Sequence, residues 1–128
     1  MLPEFFEFHN PTKVVYGTGL ALDLQAELSQ LPAKRYFLVS DRVIQNIGLL
    51  DDIKTGLEGA GVVVAGVFLE VPANSEVKTV KACAEAARAC GAEGWVALGG
   101  GSVIDTAKAA NILLSEGGDL GACRAITP

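Results

Sequence analysis

Three consecutive glycines, Gly99-Gly100-Gly101, restrict this chain more than any other stretch, because of what stands on either side of them. Before them, Gly94-Trp95-Val96-Ala97-Leu98 is a short continuous apolar run, the pattern of a buried strand. After them, Val103, Ala107, Ala110 and Leu114 recur at spacings of four, three and four, which is helical. The glycines therefore occupy a strand-to-helix turn. Ser102 and Asp105 have the S-x-x-D spacing of a helix start, with Ser102 as the expected cap and Asp105 as an acidic group in the first turn. Such a turn presents backbone N–H groups at the positive end of a helix dipole, with no side chain to hold a ligand away, and that arrangement cradles phosphate. A tight turn with a capping serine is the plainer alternative. Three glycines at this place favour the phosphate cradle.

The rest of the chain repeats the same alternation. Tyr36-Phe37-Leu38-Val39 is a continuous apolar strand ending at Ser40-Asp41, and Val62-Val63-Val64-Ala65 opens another that Val67-Phe68-Leu69 prolongs. Leu20, Leu24, Leu28 and Leu31 mark a helix face that Pro32 stops. Ile44, Ile47, Leu50, Ile53 and Leu57 continue at helical spacing, with Gly48 predicting a break into two pieces. Val77, Val80, Ala84 and Ala87 predict one more helix, closed by Gly91. Residues 5–17 read as extended segments, and the tail beyond Glu116-Gly117-Gly118 carries little pattern. Fully apolar strands alternating with amphipathic helices predict an α/β fold, a Rossmann-like parallel sheet with helices on both faces. Ligands of such sheets bind at the carboxyl ends of the strands, which brings Asp41, the loop around Asn74 and Gly99 to Ser102 to one crevice.

Composition narrows the class of protein. At 128 residues the chain has room for one domain with a real core. Half of it is hydrophobic and a fifth is charged, the balance of a globular protein. The net charge of −5 argues against nucleic acid or an anionic membrane as a partner, since both require a basic face. Three cysteines with no C-x-x-C pairing fit neither a disulfide framework nor a zinc site, and point to a reducing cytoplasm. The first residues lack the basic start and apolar core of a signal peptide, and no stretch is long and apolar enough to span a membrane.

Among candidate chemical groups, Asp41 stands where a dinucleotide-binding domain places the carboxylate that accepts from the adenosine ribose 2′-OH. Its charge would repel the 2′-phosphate of NADP and so favours NAD; capping the helix that follows, or pairing with Arg42, is the alternative. Asn74 can face a nucleotide or cap a helix. Gly17-Thr18-Gly19 resembles the start of a dinucleotide fingerprint, but its third small position is Leu22, and it reads as a turn. Lys108, three residues after Asp105, suggests a surface ion pair. Cys83 and Cys90 share the face of Val80 and Ala87 and read as core. His9 is the single histidine, so neither a metal site nor a Ser-His-Asp set can be assembled.

The run from Gly99 to Ala109 resembles the G-G-G-S-x-x-D-x-A-K signature of iron-containing alcohol dehydrogenases, and Pro11 to Gly19 resembles the start of the same family. Ser40-Asp41 and Val71-Pro72-Ala73-Asn74-Ser75 fall in the family's order and spacing, with Asn74 displaced by one residue from the P-N-P-T pattern. The resemblance implies an N-terminal α/β domain binding NAD(P), here residues 1–128, and a helical C-terminal domain holding a divalent metal, commonly iron, through one Asp and three His. It implies that Gly100, Gly101, Ser102 and Val103 hold the pyrophosphate with Asp105 nearby, that Asp41 and Asn74 meet the nucleotide, and that the intact protein is a homodimer acting on a small alcohol or aldehyde. The chain stops where a threonine-rich T-T-x-G-T-G-S-E motif is expected, so the metal positions fall outside it and these residues alone are expected to lack turnover. Two rivals remain: a stand-alone nucleotide-binding module without catalysis, and a member of the related dehydroquinate synthase or glycerol dehydrogenase lineages, which Asp105-Thr106-Ala107-Lys108 suits less well.

Overall fold

In a computed structural model, the structure describes residues 24–72, 76–115 and 123–126. The expected extended segments within residues 5–17, the Gly17-Thr18-Gly19 turn and Asn74 lie outside these. The elements follow one another as helix α1 (Gln25–Leu28), strand β1 (Arg35–Val39), helices α2 (Arg42–Asn46) and α3 (Leu49–Gly59), strand β2 (Val63–Phe68), helix α4 (Val77–Ala89), strand β3 (Gly94–Leu98), helix α5 (Gly101–Ser115) and strand β4 (Cys123–Ile126). The four strands form one parallel sheet in the order β2-β1-β3-β4. The predicted α/β architecture is thus the one observed.

Alternation along the two central strands sends side chains to two cores. Tyr36 and Leu38 of β1 and Val96 and Leu98 of β3 face α1, α2 and α3, where Leu28, Ile44, Leu50, Ile53 and Leu57 bury against them. Phe37, Val39, Trp95 and Ala97 face the other way, onto Cys83, Ala84 and Ala87 of α4 and Val103, Ala107 and Ala110 of α5. A strand buried on both faces needs apolar residues at every position, which is why β1 and β3 read as unbroken runs. The break expected at Gly48 is present, with φ +85 between α2 and α3, a conformation glycine adopts without steric cost. Along β2 the register slips by one residue opposite Tyr36 and Phe37, and Gly66 lies under the Phe37 ring. A Cβ on Gly66 would stand 3.1 Å from that ring and 3.3 Å from Cys90 Sγ.

Three details differ from expectation. The tail contains a strand: Cys123–Ile126 pairs with β3 from Trp95 to Leu98. Helix α5 begins at Gly101, so Ser102 lies within its first turn instead of capping it, and Asp105 falls beyond that turn. The Gly100 carbonyl accepts the first helical bond, from Ile104 N–H at 3.2 Å, because glycines enter a helix without a capping side chain. Val77 is 72% exposed, although it shares the angular position of Ala84. It stands in the first turn of α4, past the end of the packed stripe formed by Thr79, Cys83, Ala84 and Ala87. Cys83 is the core residue expected, with burial pushing its thiol up to about 12.

At the amino ends of the strands, Glu93 fastens β1 to β3. Its Oε1 accepts from the backbone N–H groups of Lys34 at 2.9 Å and Arg35 at 3.0 Å. These two bonds hold the Glu93 carboxyl below the ordinary glutamate range. A depressed folded-state pKa contributes stability above the unfolded value, and that contribution is lost as pH falls through the folded one. Glu93→Gln should therefore unfold at lower urea than the parent at about pH 7, with the gap narrowing as pH falls through and below the ordinary glutamate range. A constant gap between the two urea midpoints across that range would refute the clamp.

Candidate functional site

Strand order places a crevice at one point of the sheet. From β1 the chain moves outward to β2, then crosses back to lay β3 on the other side of β1. The connections after β1 and β3 therefore leave in opposite directions, and a cleft opens between them at the strands' carboxyl ends. Ser40 ties the strand ends together there. Fully buried, it gives its N–H to Phe68 O at 2.9 Å and its hydroxyl to Leu98 O at 2.7 Å, joining the ends of β2, β1 and β3.

The cleft has a volume of about 790 Å³. Gly100, Gly101, Ser102 and Val103 form one wall, Asp41, Arg42 and Val43 another, and Leu69 to Pro72 with Glu76, Lys78 and Thr79 complete it. The three glycines have different reasons to be glycine. Gly99 has φ +156, and a Cβ there would lie 2.8 Å from Val103 Cγ2. Around Gly100 and Gly101 an added Cβ would meet none of the described residues within 4 Å. No described residue requires those two to be bare, and both line the cleft.

The first amides of a helix have no carbonyl partner within it, and in α5 no capping side chain precedes them. The amides of Gly101, Ser102 and Val103 stand at the cleft wall, at the positive end of a fifteen-residue helix. A helix N-terminus entered through glycines is the kind of wall that suits an anionic group.

The structure shows the capping alternative for Asp41, and Arg42 pairs with Glu70 instead of with it. Asp41 caps α2, with Oδ1 accepting from Ile44 N–H at 2.9 Å, and it lines the cleft half-buried. The structure thus brings Asp41, Gly100, Gly101, Ser102 and Val103 to one cleft. Asp105 is exposed on α5, outside the cleft wall, and among the described residues no ion pair joins it to Lys108. Asn74 lies outside the described residues. Glu70, Lys78 and Thr79 were not singled out from the sequence, and Arg42 was named only as a partner for Asp41. A strand's end is visible as the last residue of an apolar run, whereas the side chains that face it from the next helix depend on packing. Among the described residues no group of three or more His, Cys, Asp or Glu comes together to hold a metal ion, and no helix is long and apolar enough to cross a membrane.

Comparison with known proteins agrees with this architecture. The family model for iron-containing alcohol dehydrogenase matches residues 11–126. A sulfoacetaldehyde reductase of Bilophila wadsworthia is 29% identical over 115 residues, which are 90% of this chain and 30% of that protein. An NAD-dependent methanol dehydrogenase of Bacillus methanolicus is 28% identical over 111 residues, 87% of this chain and 29% of its own. Among solved structures, the NADH-dependent butanol dehydrogenase A of Thermotoga maritima overlays with a TM-score of 0.80 at 30% identity, covering 91% of this chain and 29% of that one. The chain spans about 30% of the length of these relatives. With the glycine turn, the strand order and the family match in agreement, this chain belongs to the iron-containing alcohol dehydrogenase family.

Proposed function

We propose that residues 1–128 form the NAD-binding α/β portion of an alcohol dehydrogenase. The observation that carries this reading is the open space over Gly100 and Gly101, at a helix N-terminus in the cleft where the sheet's connections diverge. The amides of Gly101, Ser102 and Val103 donate to the pyrophosphate, and the missing side chains let the backbone approach it closely. The Asp41 carboxylate, level with the end of β1, accepts from the adenosine ribose 2′-OH and repels a 2′-phosphate. When bound, NAD supplies the hydride acceptor for oxidation of an alcohol, and its reduced form supplies hydride to the aldehyde or ketone. The residues described here bind and orient the nucleotide, and none of them is assigned to the chemical step. Iron, which the family's name carries, is assigned to none of them either. The whole protein would act on a small alcohol or aldehyde in the cytoplasm, as a homodimer.

Calorimetric titration of the chain with NAD and NADP tests this reading. NAD should bind, and NADP should bind about tenfold more weakly. Asp41→Asn separates the two roles of that residue, because asparagine caps a helix as well as aspartate does but carries no charge. The variant should keep the parent's melting temperature and lose most of the preference for NAD. Binding of neither dinucleotide would refute the cradle, and a parent preference for NADP would refute the role of Asp41.

A further inference from the structure

The β1 end of the cleft carries a set of charges beyond Asp41. Arg42 follows it directly, and its guanidinium is held by two partners. Nη2 is paired with Glu70 Oε1, and Nη1 donates to Gln45 Oε1 at 3.3 Å. Glu70 is fixed in place by an isolated antiparallel bridge between its backbone and that of Asp41. Asp41, Arg42 and Glu70 all line the cleft. The Arg42 and Glu70 side chains are 61% and 66% exposed, so water and ligand reach both. Lys78, the other cation of the cleft, belongs to α4 on the opposite face of the sheet.

Dinucleotide domains that take NADP use an arginine near the ribose to accept the 2′-phosphate. Guanidinium suits that work, since its fork of N–H groups matches phosphate oxygens and it is charged at every accessible pH. Arg42 stands in position for this, yet Glu70 holds it. Resting on the assignment of the cleft to NAD, we infer that Glu70 is a specificity-determining residue: it engages Arg42 and so denies NADP its phosphate partner. A 2′-phosphate entering the cleft meets the carboxylates of Asp41 and Glu70 and a guanidinium already committed. NAD presents a hydroxyl there and has no use for Arg42, so the pair leaves its binding untouched. An exposed ion pair is weak, so Arg42 turns to a dianionic phosphate once the competing carboxylate is neutral.

Glu70→Gln keeps the size and exposure of the side chain and removes its charge. Titrated by calorimetry at low ionic strength, the variant should bind NADP about fivefold more tightly than the parent, with NAD unchanged within about twofold. The double variant Arg42→Gln/Glu70→Gln should lose that gain, because the gain comes from the guanidinium. Equal melting temperatures of the three proteins exclude a folding effect. Parallel changes for NAD and NADP, no change at all, or a gain that survives in the double variant would overturn the role of Glu70 while leaving NAD binding by the parent intact. A parent that binds neither dinucleotide would instead overturn the assignment of the cleft, and the role of Glu70 with it.

Discussion

Gly101→Asp should abolish measurable NAD binding, weakening it by about a hundredfold or more, while leaving the thermal midpoint of the chain unchanged or slightly raised. No described residue objects to a side chain here, since an added Cβ meets none of them within 4 Å. Gly101 is the first residue of α5, where a carboxylate is favoured by the helix dipole and where any residue is a better helix former than glycine. The same carboxylate would sit where the pyrophosphate is expected to rest, filling the space and opposing its charge. Two like charges about 4 Å apart repel by about 4 kcal/mol at an effective dielectric near 20, which sets the scale of the loss. Melting curves and calorimetric titration together decide the matter. A variant that still binds NAD within tenfold of the parent would show that the pyrophosphate does not lie over this turn.

Gly99→Ala should do the opposite, lowering the stability of the fold by about 2–4 kcal/mol, a fall in melting temperature on the order of 10 °C. Gly99 is buried, with φ +156, and its hypothetical Cβ lies 2.8 Å from Val103 Cγ2 and 3.0 Å from Val103 Cβ. Val103 cannot retreat, because it is packed into the core against α4. Removing the obstacle should recover part of the loss. Val103→Ala alone leaves a small cavity, yet Gly99→Ala/Val103→Ala should be less destabilised than the sum of the two single variants. Strict additivity would mean that the strain resides in the Gly99 backbone alone, with no part for the contact with Val103. Two glycines of one turn are thus expected to answer differently, Gly99 in stability and Gly101 in binding.

Where a residue's environment is set by its own strand or helix, the sequence was legible. The runs Tyr36 to Val39 and Trp95 to Leu98 read as buried strands because both faces of the sheet are covered there. Gly48 and Gly91 read as helix ends because their positive φ is a local demand. Strand β4 was not legible: it is four residues long, contains Arg124, and pairs on one side only among the described strands, so no apolar pattern announces it. Val77 misled for the complementary reason, since its period is right but its turn of α4 overhangs the core. The candidate site divided in the same way. Asp41 and the glycine turn were visible as the ends of apolar runs, and their meeting follows from the parallel alternation. Glu70 and Arg42 come together only through the backbone bridge beside β1 and β2, a contact twenty-eight residues apart that periodicity does not encode.

Ser40 gives the middle strand a part in whatever happens at the cleft mouth. With its amide committed to β2 and its hydroxyl to β3, it acts as a rivet through three strands, one residue before the carboxylate of Asp41 and level with the last residue of β3 before the glycines. An occupant that steadies the glycine turn therefore steadies Leu98, and through the rivet the end of β1, which like β3 is flanked by strands on both sides and buried on both faces. Occupancy of the cleft and the opening of strand β1 become two sides of one equilibrium, so a strand buried on both faces is also one that registers whether the cleft is filled.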